Sequence, residues 1–186
     1  MINLKKIKVA LFDLDGTLFD TEKANFLAYK EACEEYELSE SFFHDHCMSK
    51  NYKEFLPLIG IPDNLIESVH SKKKACYKKH FNDIEPNDFL LQLVDLFRQN
   101  NIHTCVVTTA SRKNTCELLN YFNCTDKFDL LVTQESISNL KPHPDAYFYA
   151  IGYFGIEPEE CVIFEDSDIG IASALKTNAR VLRIIR

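Results

Sequence analysis

No stretch of this 186-residue sequence is apolar for long enough to cross a bilayer, so no membrane span is expected. Met1-Ile2-Asn3-Leu4-Lys5-Lys6 lacks an apolar signal region followed by a cleavage site. Positive charge is not in excess: 21 Lys and Arg stand against 28 Asp and Glu, a net charge of −7. That balance argues against a nucleic-acid backbone or an anionic membrane as the main partner. The one basic run, Lys72-Lys73-Lys74 with Lys78 and Lys79, falls in a helical pattern and reads as a solvated helix face. No CxxC pair occurs, and the seven cysteines are an odd number, scattered through apolar patterns such as those at Cys105 and Cys161. Reduced, buried thiols in a cytoplasmic protein account for them. By the same argument His44-Asp45-His46-Cys47 reads as part of a helix or loop surface, not as a metal site. Internal repeats and low-complexity tracts are absent.

What is present is a core-forming chain, 46% apolar, of a length that suits one compact domain or one domain carrying an insert. Its organising stretch is Lys8 to Thr17. The short apolar run Val9–Phe12 reads as a buried parallel strand. It ends abruptly in Asp13-Leu14-Asp15-Gly16-Thr17. Two carboxylates at i and i+2 share one face of an extended chain. They fall at a strand's carboxyl end, where open α/β sheets place their chemistry. Gly16 lets the backbone turn sharply and approach a ligand. Two acids this close in a crevice imply a cation.

Beyond Thr17 the pattern is helical. Phe26, Tyr29, Cys33 and Tyr36 recur at three- and four-residue spacing, predicting a helix from Glu22 to Tyr36 that Asp20 or Thr21 caps. Further helices are expected near Ser39–Cys47, Tyr52–Ile59 (with Pro57 inside it) and Asp63–Phe81, and no strand between Thr21 and Phe81. After the polar connector Asn82–Asn87, helices and strands alternate. The helices are Asp88–Asn100, Asn114–Phe122, Pro144–Phe154 and Asp168–Thr177. The strands are Thr104–Thr108, Asp129–Val132, Cys161–Phe164 and Val181–Ile185. Such alternation means an α/β fold, a doubly wound parallel sheet with an inserted all-helical segment. The expected division is residues 1–18 with 85–186 as the core and 19–84 as the insert, which is expected to lie as a lid on the sheet's carboxyl edge. The sequence ends directly after the last strand, so that edge is expected to be less covered, or to pair with another subunit, giving a monomer or weak dimer.

Three more groups stand where strands end or helices begin. Val106-Val107-Thr108-Thr109 closes the second strand with hydroxyls, which with adjacent N–H groups can hold phosphate oxygens. Lys141-Pro142-His143-Pro144-Asp145 puts a lysine on a proline-stiffened loop before a helix. Val162-Ile163-Phe164-Glu165-Asp166-Ser167-Asp168 sets acids after a strand, where oxygen ligands can hold Mg²⁺ and Ser167 or Asp168 can cap the next helix.

These four stretches, in this order, resemble the signatures of the haloacid dehalogenase-like (HAD) superfamily of phosphatases and phosphomutases, many of which insert a small helical cap after the first strand. The resemblance implies that Asp13 attacks phosphorus and forms an aspartyl-phosphate. Asp15 would protonate the leaving oxygen and then activate water. Thr108, with Thr109 beside it, and Lys141 would hold the phosphoryl group. Mg²⁺ would be held by Asp13, by the backbone carbonyl of Asp15 and by Asp166, with Glu165 as accessory. Mg²⁺ and Lys141 together would cancel much of the repulsion between a phosphate dianion and the acids. Haloacid dehalogenases proper and phosphonatases lack an acid like Asp15, so its presence favours an oxygen leaving group.

A phosphatase of a small phosphorylated metabolite is the first reading. A β-phosphoglucomutase-like mutase is the second, and a non-catalytic phospho-ligand binding protein the third. Against the mutase, Asn25 stands where those enzymes carry a histidine, and Met48–Lys53 does not reproduce their Gly-and-Arg loop. In the insert, Asn25, Lys50, Tyr52 and Lys53 are the candidate substrate contacts.

Overall fold

The computed structural model describes residues 6–47 and 50–185. Met48 and Ser49, at the head of the loop compared above with the mutases, lie outside the described residues, as do the ends of the chain. In chain order, β1 (Val9–Phe12) and β2 (Phe19–Asp20) precede a helical stretch of α1 (Glu22–Ala32), α2 (Glu40–Cys47), α3 (Tyr52–Phe55) and α4 (Asp63–Cys76). Then follow β3 (Glu85–Pro86), α5 (Asp88–Gln99), β4 (His103–Val107), α6 (Arg112–Tyr121), β5 (Leu130–Val132), α7 (Asp145–Phe154), β6 (Cys161–Glu165), α8 (Asp168–Leu175) and β7 (Arg180–Arg183). The chain divides into two compact units, one made of the residues up to Asp20 and from Pro86 onward, the other of Thr21–Glu85.

The first unit is built on a five-stranded sheet of order β5-β4-β1-β6-β7, with neighbouring strands parallel. Strand β1 is central and buried on both faces, which is why its run is apolar without alternation. Successive side chains still point to opposite faces. Val9 and Leu11 join Cys105, Val107, Ile163, Tyr147 and Ala150 in one core layer. Phe12, on the other face, stacks on Phe164 at a ring distance of 4.6 Å and meets Phe97 and Phe128. From β1 the chain winds outward to β4 and β5 on one side, then to β6 and β7 on the other, so the winding reverses at β1. Such a reversal opens a crevice at the carboxyl ends of the strands.

Register decides what gathers there. Phe12 lies opposite Val106 of β4 and Phe164 of β6. The residues just beyond, Asp13, Val107–Thr108 and Glu165–Asp166, therefore emerge side by side.

The second unit has its own core, in which Phe26, Tyr29, Phe43, Phe55, Leu56 and Val69 are buried. Among the described residues between Thr21 and Phe81 no strand forms. Three helices end differently from expectation. Helix α1 stops at Ala32 instead of Tyr36, and the chain turns through a bond from Tyr36 N to Cys33 O. Glu34, Glu35 and Glu37 there would set negative charge on the negative end of the helix. Helix α3 gives way at Leu56 to a 3₁₀ turn containing Pro57, which has no N–H for an α-helical bond. Helix α4 tightens into a 3₁₀ turn over Tyr77–Asp83. Thr21 does sit at the start of α1, but its hydroxyl caps no helix N–H and instead accepts from Asn25 Nδ2 at 3.2 Å. No helix among the described residues is long and apolar enough to cross a membrane, and all seven cysteines are free thiols, five of them buried.

Candidate active site

Strand β1 delivers Asp13 into the crevice, anchored by a bond from its N–H to Phe164 O at 3.0 Å. The chain then reverses through Gly16, whose φ of +84° is disfavoured for any residue with a Cβ. The turn is closed by Gly16 N to Phe19 O at 2.7 Å and Phe19 N to Leu14 O at 3.0 Å. A Cβ on Gly16 would stand 2.2 Å from Asp166 Oδ2, so the turn and the acid of β6 are in direct apposition. Thr17 completes this contact, its hydroxyl donating to Asp166 Oδ1 at 2.8 Å.

Lys141 enters from the loop before α7. That loop is fixed from α8 and its C-terminal flank by Ser173 Oγ donating to His143 O at 2.7 Å and Lys176 Nζ to Pro142 O at 2.8 Å. With its side chain only 5% exposed, Lys141 donates to Asp13 Oδ1 at 2.5 Å, to Glu165 Oε1 at 2.6 Å and to Val107 O at 2.9 Å. Glu165, fully buried, also accepts from Tyr147 OH at 3.0 Å on Oε1, and from Ser167 N and Ser167 Oγ, both at 3.2 Å, on Oε2. Ser167 in turn caps α8 by accepting from Gly170 N at 3.0 Å. The first turn of α8 comes so close that a Cβ on Gly170 would lie 1.8 Å from Glu165 Oε1.

Burial governs the electrostatics. It pushes the Asp13 carboxyl well above its ordinary range; Lys141 pulls the other way, while Glu165 and Asp15 add to the rise. Burial likewise raises Asp166, against the hydroxyl of Thr17. On Lys141 burial presses downward, but Asp13, Tyr147 and Glu165 outweigh it and hold the ammonium well above its usual value. Carboxylate oxygens of Asp13, Glu165 and Asp166 lie within 4.8 Å of one another. Three acids against one lysine leave a negative surplus in a buried crevice. An all-oxygen donor set with that surplus fits a hard divalent cation.

The remaining sequence candidates fall as follows. Thr108, 2% exposed, ends β4 and accepts from Ala110 N at 3.0 Å, while Thr109 is exposed at the same strand end. Asp15 is half-buried on the turn after β1, its carboxylate outside the cluster of three. Asn25 lies in α1, its Nδ2 donating to Thr21 O at 3.0 Å and its Oδ1 accepting from the buried Lys73 at 2.5 Å. Tyr52 stacks flat on His70 at 3.6 Å and donates to Glu67 at 3.0 Å. Lys53 pairs with the same Glu67 at 2.9 Å. Lys50 is exposed, its N–H bonded to Cys47 O at 3.2 Å. The first unit thus brings Asp13, Lys141, Glu165 and Asp166 together, while Tyr52 and Lys53 meet at Glu67 within the helical unit.

Of the residues at the site, Tyr147 was not picked out from the sequence, while Thr17 and Gly170 stood in the motif stretches without a role of their own. A signal existed for Tyr147. A tyrosine on the buried face of a helix, here with Ala146, Ala150 and Ile151, must find a partner for its hydroxyl.

A doubly wound parallel sheet, interrupted after its first strand by a helical unit and carrying an acid–lysine cluster at its carboxyl edge, defines an α/β fold of the HAD type. The model of the family described as haloacid dehalogenase-like hydrolase matches residues 10–184, and the chain belongs to that family, in its phosphatase/β-phosphoglucomutase-like subgroup with a helical cap. It is 26% identical over 173 residues to a phosphorylated carbohydrates phosphatase of Thermotoga maritima, covering 90% of this chain and 80% of that one. It is also 26% identical over 186 residues to a β-phosphoglucomutase of Bacillus subtilis, covering 92% and 80%. The solved structure of CbbY from Rhodobacter sphaeroides in complex with phosphate matches with a TM-score of 0.82 at 23% identity, over 96% of this chain and 87% of that one, a likeness of fold.

Proposed function

We propose that the protein is a Mg²⁺-dependent phosphatase of small phosphorylated metabolites that works through an aspartyl-phosphate on Asp13. The observation that carries this reading is the buried contact of Lys141 with both Asp13 and Glu165, beside Asp166. A nucleophilic carboxylate, a fixed cation and a second cation site in one crevice suit the transfer of a dianion.

In the first half-reaction an Asp13 oxygen attacks phosphorus and the P–O bond to the leaving group breaks. Asp15 gives its proton to the departing alcohol oxygen. In the second, Asp15 takes a proton from water, whose oxygen attacks phosphorus, and orthophosphate leaves while Asp13 is regenerated. Lys141, Thr108 and Thr109 hold the phosphoryl oxygens in line. Asp13, Asp166 and the backbone carbonyl of Asp15 would hold Mg²⁺, with Glu165 alongside. When bound, the ion supplies charge neutralisation that lets the phosphate approach the acids.

The second reading, a sugar phosphomutase, has support in the relatives, which include both activities by name. The two share their core chemistry and differ in whether the phosphoryl group on Asp13 passes to water or back to a sugar hydroxyl. Asn25 favours water. Its amide is bound to Thr21 and Lys73 and cannot exchange a proton as an imidazole does near neutral pH. With β-glucose 1-phosphate and a trace of the 1,6-bisphosphate, Mg²⁺-dependent release of orthophosphate is expected, exceeding formation of glucose 6-phosphate and abolished by EDTA. Rapid glucose 6-phosphate formation with negligible free phosphate would reverse the choice in favour of the mutase. Undiminished phosphate release in EDTA would remove the metal from the mechanism.

A further inference from the structure

An ammonium has three hydrogens, and those of Lys141 meet three acceptors: Asp13 Oδ1, Glu165 Oε1 and Val107 O. A phosphate oxygen can gain a hydrogen bond from this amine only when one of the three is released. Once Asp13 has formed its bond to phosphorus it is an acyl phosphate, a mixed anhydride whose carboxyl oxygen is no longer anionic and is a weaker acceptor. Its hydrogen bond is then the one to be exchanged for a phosphoryl oxygen. What keeps the amine in place during that exchange is the other two acceptors. Val107 O belongs to the backbone of β4, which is paired into the sheet. Glu165 is a side chain and stays where it is only because something holds it.

Four bonds do so. Ser167 supplies two on Oε2, and on Oε1 Lys141 is joined by Tyr147, whose hydroxyl donates at 3.0 Å. Tyr147 is fully buried, and its ring lies 5.1 Å from Lys141 Nζ. We propose that Tyr147 is a positioning residue: through Glu165 it aims the Lys141 ammonium at the phosphoryl group on Asp13. It touches neither the substrate nor the reacting atoms. This deepens the phosphatase reading and rests on it for the turnover readout alone.

The test is Tyr147→Phe, which keeps the ring and removes the hydroxyl. Tyr147→Met, apolar and of similar reach, serves if the first variant folds poorly by circular dichroism. Metal-free protein is trace-labelled with acetic anhydride, and acetylation is read by peptide mass spectrometry with Lys30 and Lys113, both exposed, as internal references. Labelling of Lys141 is expected to rise severalfold. With p-nitrophenyl phosphate, kcat is expected to fall about tenfold, the size of effect that one hydrogen bond to a charged group carries, while KM stays near wild type. Unchanged labelling with unchanged kcat would overturn the proposal, leaving the hydroxyl as a buried group that merely satisfies itself. A shifted Mg²⁺ requirement with no change in labelling would also overturn it, since Tyr147 would then act on the acid cluster without aiming the amine. Raised labelling in the variant, with a wild type inactive on phosphomonoesters, would uphold the positioning role and sink the phosphatase.

Discussion

Asp13→Asn is expected to lower kcat by at least about a thousandfold, because it removes the nucleophile and the covalent route with it. The fold is expected to survive. Asparagine has nearly the same volume and still offers Lys141 a carbonyl oxygen, and the ammonium keeps Glu165 as its counter-ion at 2.6 Å. The burial that raises the Asp13 carboxyl is a cost to the charged form, so a neutral amide relieves it. The melting temperature should hold or rise. Measurement is of orthophosphate release together with a thermal melt, since loss of activity counts only in a folded protein. Turnover above about one-hundredth of wild type in a folded variant would mean that the chemistry does not pass through Asp13.

Lys141→Met should produce the largest loss of stability. It leaves Asp13 and Glu165 in a buried site without the cation that joins them. Removing one member of a buried ion pair costs about 3–5 kcal/mol, or a fall of roughly 10 °C or more in melting temperature for a chain of this size. The pH dependence carries the sign. With the lysine gone, the Asp13 carboxyl in the folded state lies still further above its unfolded value. Between those two values the folded protein binds more protons than the unfolded one, so stability rises as pH falls. The deficit against wild type should therefore be larger at neutral pH than in acid and shrink as the pH is lowered. In the wild type the raised Lys141 contributes stability that is fully present below the unfolded lysine value and lost only in strong alkali. A variant as stable as wild type at neutral pH, or a deficit that grows on acidification, would show that the lysine is not the counter-ion of these acids.

Much of this architecture was legible in the residues, for an identifiable reason. A strand buried on both faces must be a short apolar run, and the polar residue that follows it must lie at the sheet's edge. Val9–Phe12 before Asp13, Val106–Val107 before Thr108, and Val162–Phe164 before Glu165 could be read in that way without knowledge of strand order. Helix ends were less legible, because they depend on local competition. At Cys33 the apolar spacing continues to Tyr36 but the glutamates stop the helix, and at Pro57 a missing N–H converts α-helix to 3₁₀. The paired two-residue strands β2 and β3 were too short to show any period. What the sequence hid most completely was the support behind the site. The burial pattern of α7 says that Tyr147 faces inward, but its partner, Glu165, comes from a different element. Nothing local in Ile169-Gly170-Ile171 announces that the glycine is there for that same glutamate.

That glycine has a consequence for how the site can change over generations. The space a Cβ would need at position 170 is already taken by the Glu165 carboxylate, which four hydrogen bonds prevent from swinging aside. The two positions are therefore not free to drift separately. A lineage can acquire a side chain at 170 only after 165 has shortened, and one that has done so has closed the way back to glutamate until the glycine returns.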